Sequence, residues 1–310
     1  MKQFLRITQN ELEKIYRRPS TWVMTGLVVL IVVASSLFSQ YFFDEEIPWR
    51  EQLTLETTQL QQEADVTSGT ERAQIEDEIA INLARLKQDL PPLEETYVGV
   101  LIDTVNLAGI LSLFTIVVTA GLVAREFSSG TIKLLLIRPV RRSKIWISKY
   151  VASFGFTMFL LAVLMTSALL MGLLLNGFSQ DAVHVDLQNG AVGKGSLWLY
   201  VFKLYGLKSA ELIIIMTITF VLATISRSAT VAISVSFILV FTSPQIVMLL
   251  SKYTWMKYVL FSNIDLLQYV ENRPLIEGMT FSFSLSILLL YWVLLMVTAL
   301  YIFEKRDVAD

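Results

Sequence analysis

Six stretches of the chain, 22–43, 97–123, 146–175, 204–225, 230–250 and 281–303, carry apolar side chains around the whole helical circumference rather than along one face. A helix of that kind has no polar side to turn to water. At 1.5 Å per residue each run is long enough to cross the roughly 30 Å hydrocarbon core of a bilayer. The pattern predicts an all-α, polytopic membrane protein with six transmembrane helices. The first run is too long and too aromatic at its far end for a cleaved leader, so it is expected to remain as an anchor. The fourth is crowded at one end by Lys203, Lys208 and Glu211, which leaves open that part of 196–211 lies along the membrane surface.

The polar segments have patterns of their own. Residues 1–20 precede the 21–310 transmembrane domain. Within 44–96, Leu60, Ile75, Ile79, Leu83, Leu86 and Leu90 recur largely at spacings of three and four. This predicts a hairpin of two helices broken at Thr67–Thr70, with Ser68 and Glu71 as a capping box and Pro91 as the stop. In 124–145, Ser129 or Thr131 can cap a short helix that Pro139 halts after Ile137, giving an apolar surface at 134–137 flanked by basic groups. Such a helix suits a soluble partner, and the same residues suit a loop whose arginines reach anionic headgroups. Residues 252–272, polar yet carrying Tyr253, Trp255 and Tyr258, predict short helices at the outer surface that form a gate.

Charge orients these elements. Lys2, Arg6, Lys14, Arg17 and Arg18 precede the first run, and Arg125, Lys133, Arg138, Arg141, Arg142 and Lys144 gather between the second and third, with Lys149 at the start of the third. Segment 44–96 instead holds fourteen acidic residues against Arg50, Arg72, Arg85 and Lys87, a net charge of −10. Lysine and arginine mark the cytoplasmic side. The expectation is a bacterial cell-membrane protein with both termini inside and the acidic hairpin outside, where it is either a solvated cap or a docking surface for cationic ligands.

Candidate chemistry is sparse. Cysteine is absent and His184 is the single histidine, which excludes disulfides, thiol nucleophiles and cysteine-bound zinc. Asp181, His184 and Asp186 form a weak metal constellation that reads as chance spacing in a polar loop. Residues 189–195 contain a Gly-Lys pair, but Gln188 and Gly195 stand where a phosphate-binding loop needs glycine and Ser or Thr. The chain is therefore expected to be no enzyme, to bind no cofactor or metal itself and to have no nucleic-acid partner; membrane lipid is its surroundings. Polar groups inside spans are costly and so mark candidate substrate-path or gate positions: Asp103, Asn106, Lys208 and Glu211, with Pro244 as a kink. An internal ion pair is the plainer account of Lys208 and Glu211.

Glu126-Phe127, Gly130-Thr131, 134–136, Arg138-Pro139-Val140, Arg142 and Lys149 together resemble the segment between the second and third spans of bacterial ABC-transporter permeases of the exporter class with a G-subfamily-like (type V) membrane domain. Residues 10–18 resemble that family's amphipathic connecting helix, which implies a cytoplasmic amphipathic connecting helix over 1–20, and 303–307 resemble its cytoplasmic ending. The resemblance implies a coupling helix that docks on a separate ATP-binding cassette subunit through Glu126, Phe127, Ser128, Gly130, Thr131, Lys133, Leu134 and Arg138. Glu11 and Lys14 would touch the same partner, which would hold the ATP and magnesium. It also implies a second permease chain, as homo- or heterodimer, and an apolar or amphipathic substrate such as a peptide antibiotic or lipid, with an ion as a variant. The large acidic hairpin departs from that family's shorter outer loop. The competing function is a membrane scaffold or sensor that binds a ligand through the hairpin and signals to a cytoplasmic partner.

Overall fold

The computed structural model describes residues 2–43, 48–93, 96–128, 141–177, 184–188, 191–270, 274–276 and 278–305. Its elements are α1 (Lys2–Tyr16), α2 (Pro19–Phe43), α3 (Trp49–Val66), α4 (Thr70–Gln88), α5 (Gly99–Ser128), α6 (Arg142–Asn176), β1 (His184–Gln188), β2 (Ala191–Gly195), α7 (Leu197–Ser226), α8 (Ala229–Leu250) and α9 (Phe281–Lys305), with 3-10 turns at Thr254–Tyr258, Leu260–Ser262 and Leu267–Tyr269. Among the described residues six helices, α2 and α5 to α9, are long and apolar enough to cross a membrane. The fold is that of an all-α polytopic membrane protein.

Local chemistry sets the helix ends. Pro19 opens α2 at the position where a missing N–H costs nothing. Only Arg17 and Arg18 separate α1 from α2. The terminal carbonyls of α1 are taken up by side chains from the first turn of α2: Thr21 Oγ1 donates to the Ile15 carbonyl (2.6 Å) and Trp22 Nε1 to that of Tyr16 (2.9 Å). At the equally tight α7–α8 connection, Arg227 adopts φ +56° and Ser228 caps α8 by accepting from the Val231 N–H.

Several boundaries differ from those the sequence predicts. α7 is one continuous helix of 30 residues, about 45 Å long, so 196–211 does not break away as a surface element: Lys208 and Glu211 satisfy each other, and the helix has no reason to unwind there. The segment 124–145 is not one element, because 124–128 close α5 and 142–145 open α6; the helix expected to end at Ile137 lies outside the described residues. α4 starts without a side-chain cap. Its N-cap is Gly69, at φ +74°, rather than Ser68. α4 ends at left-handed Asp89, two residues before Pro91. α8 runs through Pro244 as a single helix, although the proline denies the Val240 carbonyl its usual N–H donor.

The chain forms two compact units. One comprises Val29–Leu107 and Leu164–Tyr205. There α3 and α4 form an antiparallel hairpin that buries Leu53, Ala64 and Ile75, while Arg85 donates to the Pro91 carbonyl (2.7 Å). The segment read from sequence as a flexible polar loop contains a small antiparallel β-hairpin, β1 with β2, lying against α4. His184 and Asp186 sit on β1 and Asp181 lies outside the described residues, among which no group of three metal-ligating side chains occurs. The start of α5 is held to the end of α6: Asn176 Nδ2 donates to the Thr96 carbonyl (2.9 Å), and Gly172 packs directly on the backbone of Tyr97.

The other unit comprises Met1–Val28, Ala108–Val163 and Gly206–Asp310. Its core gathers Trp146, Tyr150, Met216 and Phe220 around the small residues Ala120, Ala223, Ala232 and Ala299. In lipid, apolar burial gives helices little reason to associate, so small side chains that permit close approach, together with hydrogen bonds between helices, do most of the holding. This unit contains the polar array described next.

Candidate functional site

α1 is docked rather than free. Thr8, Glu11 and Ile15 form its buried stripe, Leu12 lies against Gly155 of α6, and Tyr16 meets Phe159 edge-on at 5.3 Å. Glu11 is 2% exposed. Lys149 of α6 donates to its Oε2 (2.9 Å) and also to the Leu122 carbonyl of α5 (3.3 Å), while Lys14 donates to Oε1 (2.6 Å). Burial by itself would raise the Glu11 carboxyl; the ammonium of Lys149 and the hydrogen bonds from Lys14 and Lys149 overcome it and hold the group below its ordinary value. Three helices therefore meet at one buried charge pair.

A ladder of hydroxyls continues from this pair along α5 and α6. Thr157 Oγ1 donates to Thr115 Oγ1 (3.4 Å). The antiparallel register fixed by that bond and by Lys149 on Leu122 puts Thr119 level with Ser153. Both of these hydroxyls are buried without a hydrogen-bond partner among the described residues.

Across the core, α6, α7 and α9 are joined by ring donors. Trp146 Nε1 donates to Thr224 Oγ1 (3.1 Å), Trp292 Nε1 donates to the Tyr150 hydroxyl (2.8 Å), and that hydroxyl pairs with Thr217 Oγ1 (2.9 Å). Thr219 donates to Ser236 (3.0 Å), which ties α7 to α8. Nearer the start of the unit's α7 segment, Lys208 donates to Glu211 Oε2 at 2.7 Å, both side chains largely buried, with Asp265 within electrostatic reach of the pair. Asn263, fully buried, donates to the carbonyls of Lys257 and Val259 (both 2.8 Å) and accepts from Ser284 of α9 (2.6 Å). This array can hold helices in register and release them when a charge or a rung changes. Among the described residues it pairs no nucleophile with a base.

The sequence-derived residues fare unevenly. Lys208 and Glu211 come together as the internal pair. Glu11 is buried in an ion pair with Lys149 of the same chain, and Lys14 stays half-exposed beside it. Glu126, Phe127 and Ser128 close α5, whereas Gly130, Thr131, Lys133, Leu134 and Arg138 lie outside the described residues. Asp103 and Asn106 are exposed on α5 within the first-described unit, where their neighbours Thr104 and Val105 are buried, and Pro244 is exposed on α8. Sequence reasoning missed Lys149, Tyr150, Trp292 and Asn263 as structural centres. The available signal was a lysine and ring donors inside otherwise apolar runs, where each needs a partner.

Length, apolarity and buried polar rungs together define a polytopic α-helical membrane protein. The chain belongs to the family described as "Protein of unknown function (DUF2705)", whose match covers residues 90–309. It is 32% identical over 313 residues to "Uncharacterized protein YhcI" of Bacillus subtilis (strain 168), covering 99% of this chain and all of that protein. It is 34% identical over 221 residues to "Uncharacterized membrane protein YdbK" of the same organism, covering 69% of this chain and 85% of that one. These findings overturn the assignment to the ABC-transporter permeases. The residues behind that resemblance are basic, glycine- and proline-punctuated positions in a short connection between two spans. Orientation by positive charge asks for such residues in membrane proteins of many kinds, so they do not specify one family.

Proposed function

We propose that the chain is the membrane-spanning subunit of a transport complex in the cell membrane, with both termini in the cytoplasm. In this reading it moves an apolar or amphipathic substrate, and a separate nucleotide-hydrolysing protein supplies the energy. The chain's own part is conformational, and the nucleotide and its magnesium belong to the partner. One observation carries the reading: Glu11, on a helix outside the spans, is ion-paired at 2.9 Å with Lys149 inside one. A push on α1 reaches α6 and, through the Leu122 carbonyl, α5, with little play. Such a connection is what a lever between a soluble partner and a helix bundle requires.

The test is to purify the full chain from native membranes with whatever accompanies it and to measure nucleotide hydrolysis in lipid nanodiscs for the wild type, Lys149→Met and Lys149→Arg. We expect hydrolysis that falls severalfold in folded Lys149→Met and returns in Lys149→Arg. A preparation without a nucleotide-hydrolysing companion, or hydrolysis indifferent to Lys149→Met, overturns the reading and favours a scaffold or sensor.

A further inference from the structure

The connection between α8 and α9 carries a surface that the transport reading leaves unused. Tyr253, Trp255 and Tyr258 are 55%, 55% and 54% exposed, beside exposed Lys252 and half-buried Lys257. The Tyr253 and Trp255 rings are stacked at 6.4 Å, and Lys257 Nζ stands 5.3 Å from the centre of the Tyr258 ring. Exposed rings usually move. These are held on a fixed backbone: Met256 is buried with Val247, Ile276 and Met279, the Lys257 carbonyl accepts from Asn263 (2.8 Å), and the Tyr258 carbonyl accepts from Tyr291 of α9 (3.2 Å). Met248 and Leu249, at the end of the α8 span, present apolar side chains next to the knuckle.

Charge decides what fits there. Asp265, Glu271 and Glu277 lie further along the same connection, but among the described residues no carboxylate forms an ion pair with Lys252 or Lys257. Rings of amphipathic character at a span end settle at headgroup depth, and lysines there face phosphate. We propose that Lys252, Lys257 and the Tyr253–Trp255 ring pair seat the phosphate of an anionic phospholipid, with Met248 and Leu249 against its acyl chains. A zwitterionic lipid brings an ammonium group toward the same lysines and binds less well. The inference does not depend on the transport reading.

The experiment is thermal unfolding of the full chain in mild detergent, titrated with phosphatidylglycerol or with phosphatidylcholine of the same acyl chains. Wild type should be stabilised by phosphatidylglycerol and scarcely by phosphatidylcholine. In Lys252→Gln/Lys257→Gln the apparent affinity for phosphatidylglycerol should fall roughly thirtyfold, the worth of two lysines at an anionic surface, and Lys252→Arg/Lys257→Arg should retain it. Equal stabilisation by both lipids, an unchanged response in the Gln variant, or loss in the Arg variant as well overturns the proposal. Inorganic phosphate that reproduces the wild-type stabilisation overturns it too, by assigning the seat to a soluble anion.

Discussion

Lys149 reaches Glu11 across 138 positions of sequence to make a 2.9 Å ion pair whose two side chains are almost entirely buried. Removing one member of such a pair leaves the other buried charge under-compensated, at a cost of up to about 3–5 kcal/mol, which Lys14, 2.6 Å from Glu11 Oε1, softens when Lys149 is the residue removed. Lys149→Met and Glu11→Leu are each expected to lower stability by up to that order, and Glu11→Leu/Lys149→Met to recover most of the loss. Thermal unfolding of the four proteins as a double-mutant cycle reads the coupling directly; additive losses would show that the pair contributes nothing beyond its members.

The same pair makes the docking of α1 sensitive to acid. The folded-state Glu11 carboxyl titrates below its ordinary value of 4.5 because Lys149 and Lys14 outweigh the effect of burial. A depressed carboxyl contributes stability that is complete above the unfolded value and drains as pH falls through the folded one. Hydrogen exchange of α1, corrected for its intrinsic pH dependence, should be flat from neutral pH down to about 5 and rise below the ordinary carboxylate range. In Glu11→Gln that rise should be missing.

The all-α class and the six apolar helices were legible because whole-circumference apolarity has few other solutions. The ends were less so. At Leu197 and at Ser128 the helices extend past the apolar runs, since backbone hydrogen bonding continues until something competes with it, and polar residues within a turn of the interface do not. Lys208 with Glu211 could be read as a pair from their spacing of three, whereas Glu11 with Lys149 could not, because a contact over that separation depends on how α1 docks. The 124–145 segment misled for the opposite reason: its composition answers to membrane orientation, which many families share.

Gly172 supplies a packing prediction in the unit containing the α3–α4 hairpin. A Cβ built there overlaps the Tyr97 carbonyl, and a backbone atom cannot swing aside as a flexible side chain would. Gly172→Ala must separate the end of α6 from the start of α5 and strain the Asn176 bond to the Thr96 carbonyl. A loss of about 1–3 kcal/mol is expected from overpacking. Gly109, with open space around its position, is the control, and its alanine variant should unfold like the wild type.

Thr119 and Ser153 offer a case where removing polar groups should help. Both hydroxyls are buried without a partner among the described residues, and an unmade hydrogen bond in a buried site costs about 1–3 kcal/mol. Thr119→Val/Ser153→Ala keeps the shapes close while deleting both groups, so the double variant is expected to unfold at a higher temperature. A lower temperature would mean that the hydroxyls are paired with each other or with a neighbour in the working protein.

Membrane sidedness can be read without background labelling because the chain has no cysteine. Gln9 is exposed on α1 and Thr254 is exposed on the α8–α9 connection. The basic residues around α1 call for the cytoplasm, and an even number of spans puts the connection before the last span opposite the termini. In intact cells a membrane-impermeant maleimide should modify Thr254→Cys and leave Gln9→Cys untouched, with both reacting once the membrane is opened. The reverse pattern would invert the orientation and place the anionic-lipid seat in the cytoplasmic leaflet, where its lysines would meet a different lipid composition. Labelling of both sites in intact cells would mean that α1 is not shielded by the bilayer, and the lever from a cytoplasmic partner would then have nothing to push on.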